Sequence, residues 1–218
     1  MCFSANASFT AGVVLTTIGV VSIRKSQTRA HLLFAAIPLI FAIQQITEGI
    51  VWLTLLNPGH TALLKIATVV FLMFAQVIWP LWVPIAVLFL EKGETRKKIQ
   101  KVLVGMGGLV GLYLAYCLMV YPVHAEIIGY HVTYKQDYPS RLANIGAILY
   151  VIATIAPPFF SHVRRMWMLG LTVLISYLIT ELFYEQYLVS VWCFFASVIS
   201  ISVVVIMVEI KKGHLLNA

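Results

Sequence analysis

Charge is what this sequence has least of. Asp, Glu, Lys and Arg make up 11% of its 218 residues against 61% hydrophobic, and the mean hydropathy of +0.95 lies outside the range of water-soluble domains. Three cysteines are too few for a disulfide framework. No histidine sits inside an apolar run: His31, His60, His124, His131, His162 and His214 all fall in the connections. That argues against an intramembrane zinc hydrolase, whose ligands need helical spacing within the apolar runs. A His-Glu-x-x-His motif and a Ser-centred nucleophile elbow are also absent. The last apolar run, Tyr187 to Val208, has no lysine to form a retinal Schiff base, which excludes opsin chemistry. The first run begins at Phe3 without a basic n-region, so it is expected to persist as a helix rather than be cleaved as a signal peptide.

What is present is apolar sequence almost from end to end. A membrane span needs about 20 mainly apolar residues at about 1.5 Å rise each, and seven such runs are read, at residues 3–23, 32–56, 66–90, 102–121, 142–160, 166–183 and 187–208. The expected fold is all-α: one seven-helix membrane domain over residues 1–218, with the lipid bilayer as its principal partner. Asn57-Pro58-Gly59-His60 is a turn signal, and Lys65 is expected to snorkel to an interface. Of the 15 basic residues, twelve share one side: Arg24, Lys25, Arg29, Lys92, Arg96, Lys97, Lys98, Lys101, Arg164, Arg165, Lys211 and Lys212. Short cytoplasmic loops retain Lys and Arg, so the N-terminus is expected outside and the C-terminus inside. The net charge of +7 is thereby explained without a nucleic-acid partner.

Ile46-Thr47-Glu48 recurs as Ile179-Thr180-Glu181, an offset of 133 residues, in two spans of the same direction. Phe74-Ala75-Gln76-Val77-Ile78 resembles Phe195-Ala196-Ser197-Val198-Ile199 at an offset of 121. These matches suggest a parallel three-plus-one-plus-three internal repeat over residues 1–93 and 142–213, related by an axis along the membrane normal. The arrangement resembles the sugar-transporter and PQ-loop group in architecture. That group's Pro-Gln pair is missing, so no binding residue carries over.

The two triplets also hold the deepest acids. A carboxylate in hydrocarbon is costly and normally meets a partner, a cavity or a substrate path. Residues four apart share a helix face, which places Gln44, Glu48 and Trp52 on one stripe, beside Gln45, and Tyr177, Glu181 and Glu185 on the equivalent one. Gln76 and Trp79 join them from span three, and Cys193, Ser197 and Ser200 from span seven. Together they are expected to line one outward-opening cavity that takes up a proton, a cation or a small molecule. A competing expectation is that Glu48 is a neutral acid that only fixes helix packing. Trp79-Pro80-Leu81-Trp82-Val83-Pro84 is read as a kinked shape element and Pro157-Pro158 as a helix terminator. No resident metal or cofactor is assigned, although His124 and His131 share a loop with Glu126.

The opening Met1-Cys2-Phe3-Ser4-Ala5, the stretch from Gln44 to Trp52, Trp79-Pro80 to Pro84, and Ser190-Val191-Trp192-Cys193-Phe194-Phe195-Ala196 resemble a family of uncharacterised bacterial multi-pass membrane proteins beginning Met-Cys-Phe-Ser. The resemblance covers nearly the whole chain and implies a bacterial cytoplasmic (inner) membrane location, with no activity attached. It draws attention to Cys2 and Cys193, for which free buried thiols are expected and a bridge is the alternative that an oxidising outer face allows. The leading functional expectation is a small-solute or ion/proton-coupled transporter or binding protein centred on Glu48. A membrane thiol/redox enzyme using Cys2 and Cys193 is the alternative, opposed by the effect of a nearby carboxylate on thiolate formation. A sensor or assembly factor is the third; with short loops and a short tail from Lys211, it would need a partner.

Overall fold

In hydrocarbon the backbone must satisfy its own polar groups, so apolar runs with few breakers fold as helices. The computed structural model describes residues 4–57, 59–137, 140–184 and 195–216. In it, α1 spans Ala5–Ile23, α2 Arg29–Ala35, α3 Ile37–Leu56, α4 Thr61–Leu72, α5 Trp79–Leu90, α6 Glu94–Val120, α7 Ser140–Phe159, α8 Met166–Tyr184 and α9 Ala196–Leu216. A π-helical turn, Met73–Ile78, joins α4 to α5, and α2 runs into α3 across Ala36. Seven helical units therefore run through the described residues. Five are long and apolar enough to cross a membrane: Ala5–Ile23, Arg29–Leu56, Thr61–Leu90, Glu94–Val120 and Met166–Phe183. Asn144–Phe159 is a shorter apolar helix. The chain is an all-α polytopic membrane protein, and Leu15, Phe34, Phe41, Trp79, Met166 and Met207 belong to its main core.

The helix starts follow local chemistry. Ser4 Oγ accepts the Ala7 N–H at 3.2 Å and opens α1. Thr28 does the same for α2 through His31 N. α6 begins at Glu94, so Arg96 to Lys101 form its first turns at what we term the basic end of the bundle.

Prolines shape the middle. Pro38 follows the α2–α3 break, where the Leu33 carbonyl accepts the Trp82 indole N–H at 2.9 Å. In the π turn, Trp79 N–H donates to the Phe74 carbonyl, five residues back. Pro80 has no N–H to continue that register, which leaves the Ala75 carbonyl open. The Tyr150 hydroxyl of α7 donates to it. Pro84 likewise deprives the Pro80 carbonyl of its α-helical donor. There α6 approaches so closely that a Cβ on Gly107 would lie 1.8 Å from that oxygen. Gly111, one turn on, faces the Val77 carbonyl, so a small-xxx-small pair seats α6 on the kinked helix.

At the basic end the Glu91 side chain is fully buried. It accepts hydrogen bonds from the Ser161 hydroxyl and from His162 N at 3.1 and 3.2 Å, and pairs with His162 Nδ1 at 2.9 Å. Gln100 Nε2 donates to the Pro157 carbonyl at 2.9 Å in the last turn of α7. These contacts tie α5, α6 and the α7–α8 connection together.

The opposite end carries an element that the span pattern does not announce. Val123–Ile128 (β1) and His131–Gln136 (β2) form an antiparallel hairpin in the connection from α6 to α7. Gly129, at φ 61°, sits first in the two-residue turn Gly129-Tyr130, where a left-handed residue is needed. The register pairs Ile127 with Val132, Ala125 with Tyr134 and Val123 with Gln136 on one face. His124, Glu126 and Lys135 occupy the other, where Glu126 and Lys135 form an ion pair. The alternation of apolar and polar residues on both sides of Gly129 is a period-two signal present in the sequence.

Gly107→Ala is expected to destabilise the bundle by about 1–3 kcal/mol, because the oxygen it meets belongs to the backbone and cannot swing aside. Gly105→Ala, where a Cβ meets nothing within 4 Å, is expected to be neutral or slightly stabilising. Thermal unfolding of both variants in detergent checks this, and equal melting temperatures would contradict the packing.

Candidate functional site

α3 brings its polar residues to the interior. Gln44, Gln45 and Glu48 are at most 1% exposed, and Trp52 is buried beside them. Counting about 1.5 Å per residue from Leu56, Glu48 lies about 12 Å below the hairpin end. Gln45 Nε2 donates to Glu48 Oε2 at 3.2 Å. Trp79 Nε1 donates to Gln44 Oε1 at 2.7 Å, and Phe41 stacks on the same indole at 4.0 Å between ring centroids. The first residue of α5, placed by the π turn and Pro80, thus orients one glutamine while the next glutamine holds the acid. Thr47 and Thr54 return their hydroxyls to their own helix, at the Ile43 and Ile50 carbonyls, and add nothing to the cluster.

α1 supplies the facing wall. Cβ atoms built on Gly12, Gly19 and Gly49 would meet Ile46, Leu39 and Phe9 respectively at 2.6–2.9 Å, a single antiparallel register between α1 and α3. That register sets Ser8 level with Ile50, between Glu48 and Trp52. At about 100° per residue, Ser8 falls on the same side of the contact line as Gln45, Glu48 and Trp52. Ser8 Oγ, Gln45 Oε1 and Trp52 Nε1 are all buried without a hydrogen-bond partner among the described residues. Ser200 Oγ, on the buried stripe of α9 that packs against α1 and α3, is in the same condition. A buried polar atom without a partner costs about 1–3 kcal/mol, so such atoms on facing helices mark a place suited to a small polar guest.

The second glutamate stands elsewhere. Glu181 is exposed on α8, which packs on α7 and α9, and it interacts with half-buried Tyr177 one turn before it. Gln76 is half-buried in the π turn and Ser197 half-buried on α9. Cys2, Glu185 and Cys193 lie outside the described residues. Cys117 is a free buried thiol on α6, and its carbonyl accepts Gln136 Nε2 at 3.0 Å. Among the described residues no three His, Cys, Asp or Glu side chains converge as a metal centre would require. A shallow groove of about 430 Å³ lies near the hairpin end, lined by Leu53, Asn57, His60 and Leu63 among others.

The chain belongs to DUF6629, a family of unknown function. Its family model matches residues 1–215. No characterised protein and no solved structure matches the chain. What can be argued about activity therefore comes from the site itself.

Access from the hairpin end is covered in this structure. Trp52, one turn outward from Glu48 on the same face, packs in one cluster with Val132, Val51, Ala67 and Ala5. The hairpin also reaches a second cluster: Tyr134, which packs against both, stacks on Phe71 at 4.8 Å, and Val123 packs beside Leu72 and Leu118. The hairpin end of α3, where the spacing predicts an outward opening, is thus covered by a segment read as a loop.

Burial holds the His131 imidazole below the ordinary histidine value of 6.5. The unfolded hairpin therefore takes up a proton more readily than the folded one. The stability contributed by neutral His131 is complete above the unfolded pKa and is lost as pH falls from there towards the folded value. Amide hydrogen exchange of β1 and β2, corrected for intrinsic rates, is expected to be faster at about pH 5 than at about pH 7.5. His131→Gln is expected to remove the difference, and an unchanged pH dependence in that variant would assign it to another group.

Proposed function

We propose that this protein binds a small polar solute or ion inside the membrane and couples its movement to a proton or cation held at Glu48. One observation carries the reading. Glu48 is wholly buried on an interior helix face, with Gln45 bonded to it and unpartnered polar atoms of Ser8, Gln45 and Trp52 on the same side. An acid that only fixed packing would be expected to sit among satisfied neighbours, as Glu91 does at the basic end. Here the neighbourhood has both donors and acceptors to spare: an indole N–H, an amide oxygen and a hydroxyl. That set fits a guest able to donate and accept, or a hydrated cation balanced by the carboxylate.

The positive-inside distribution of basic residues supports an orientation with the hairpin end outside and the basic end in the cytoplasm. With that orientation Glu48 is reached from the outer side past Trp52.

The test uses the full chain in liposomes, with proton uptake followed by an entrapped pH dye and sodium uptake by radioactive sodium. Wild type is expected to exceed empty liposomes in at least one assay. Glu48→Gln, which keeps the shape and removes the charge, is expected to fall at least tenfold while retaining its melting temperature. Equal flux in the two proteins, or none in wild type, would reject coupling at Glu48.

A further inference from the structure

The geometry points to the β1–β2 hairpin as the outer gate over Glu48, with Val132 as the plug in the cluster that holds Trp52. This rests on the reading of Glu48 as a binding centre, but it concerns access rather than coupling.

The hairpin is held in two unlike ways. Its base is joined covalently to α6 and α7 and donates from Gln136 to the Cys117 carbonyl. Its outer half meets the Trp52 cluster through Ile127 and fully buried Val132, and Tyr134, across from Ala125, packs between the two clusters with its ring on Phe71. Such contacts separate without breaking directional bonds, whereas those at the base do not. A fixed base and a lightly seated outer half are what a flap needs.

The seat favours movement as well. The Trp52 indole N–H is buried without a partner among the described residues, so lifting the plug would expose it to water and relieve an unmet donor. The opposite hairpin face carries His124, Glu126 and Lys135, which lose nothing on turning into solvent. At the tip, Tyr130 is 77% exposed and contributes little to the closure.

The experiment uses the full chain in liposomes, with Cys2, Cys117 and Cys193 replaced by alanine and Ser8→Cys as reporter. A membrane-impermeant methanethiosulfonate is added to the hairpin side or to the basic side. With the hairpin intact, labelling from the hairpin side is expected to be slow. Val132→Ser is expected to accelerate it at least tenfold, and Tyr130→Ala to leave it unchanged. If Val132→Ser fails to fold, Ile127→Ser, its cross-strand neighbour on the inward face, takes its place. An unchanged rate, or acceleration from the basic side alone, would overturn the gate. Labelling needs no transport, so the two proposals fail separately. Lost flux in Glu48→Gln with labelling unaltered by Val132→Ser keeps the coupling site and removes the gate; the converse keeps the gate over an acid that does not couple.

Discussion

A carbonyl released inside a bilayer has no water to accept from, and the architecture depends on how this chain answers that constraint. Pro38, Pro80 and Pro84 each interrupt a helix within the apolar core. Each interruption is met by a neighbouring helix: Trp82 reaches the Leu33 carbonyl, Tyr150 the Ala75 carbonyl, and Gly107 lets α6 close on the Pro80 carbonyl. The interhelical contacts are therefore consequences of the breaks, not additions to an otherwise regular bundle. Apolar side chains alone would associate weakly, since lipid tails are as apolar as leucine. Directional bonds to freed carbonyls give the helices a defined register.

The same constraint builds the candidate site. The π turn and Pro80 set the face that α5 presents, and with it the Trp79 indole that Gln44 receives. Gln44 is thereby held, and Gln45 on the next position donates to Glu48. Glycines on α1 and α3 bring those helices together closely, and Ser8 is buried where they meet. Kink, close approach and buried carboxylate form one causal sequence. A change at Gly12 or Pro80 would consequently disturb Glu48 without touching it.

Much of this was legible in the residues. Apolar runs of membrane length, their bounding turns and the shared face of Gln44, Glu48 and Trp52 follow from spacing alone. The Gln44–Trp79 bond was not readable, because partner choice across 35 positions depends on the phase shift of a π turn that no propensity marks. The hairpin was readable and was missed. Val123, Ala125 and Ile127 alternate with polar residues, and Gly129 stands where a tight turn wants it, but this six-residue period-two signal lies in a connection between two far longer apolar runs. The likeness between Glu48 and Glu181 misled for another reason. Triplet identity specifies a local face, whereas burial depends on which neighbour covers that face. α3 is enclosed by α1, α4, α9 and the hairpin, while Glu181 on α8 is left exposed.

Glu48 and Glu91 differ in how their surroundings are satisfied. Both side chains are fully buried. The Glu91 carboxyl is met by a hydroxyl, a backbone N–H and an imidazole, an arrangement that stabilises one conformation and penalises any departure from it. Around Glu48 the neighbouring polar atoms are unmatched: an amide oxygen lacks a donor and an indole N–H lacks an acceptor. An unmatched donor and acceptor on the same wall would both be satisfied by one small amphoteric guest, and neither is relieved by tighter helix packing. Natural cores keep few such atoms. A fully buried carboxylate bonded to a glutamine whose own amide oxygen is unmatched, with an unmatched indole N–H one turn along the same face, is the arrangement on which the reading of Glu48 as a binding centre rests.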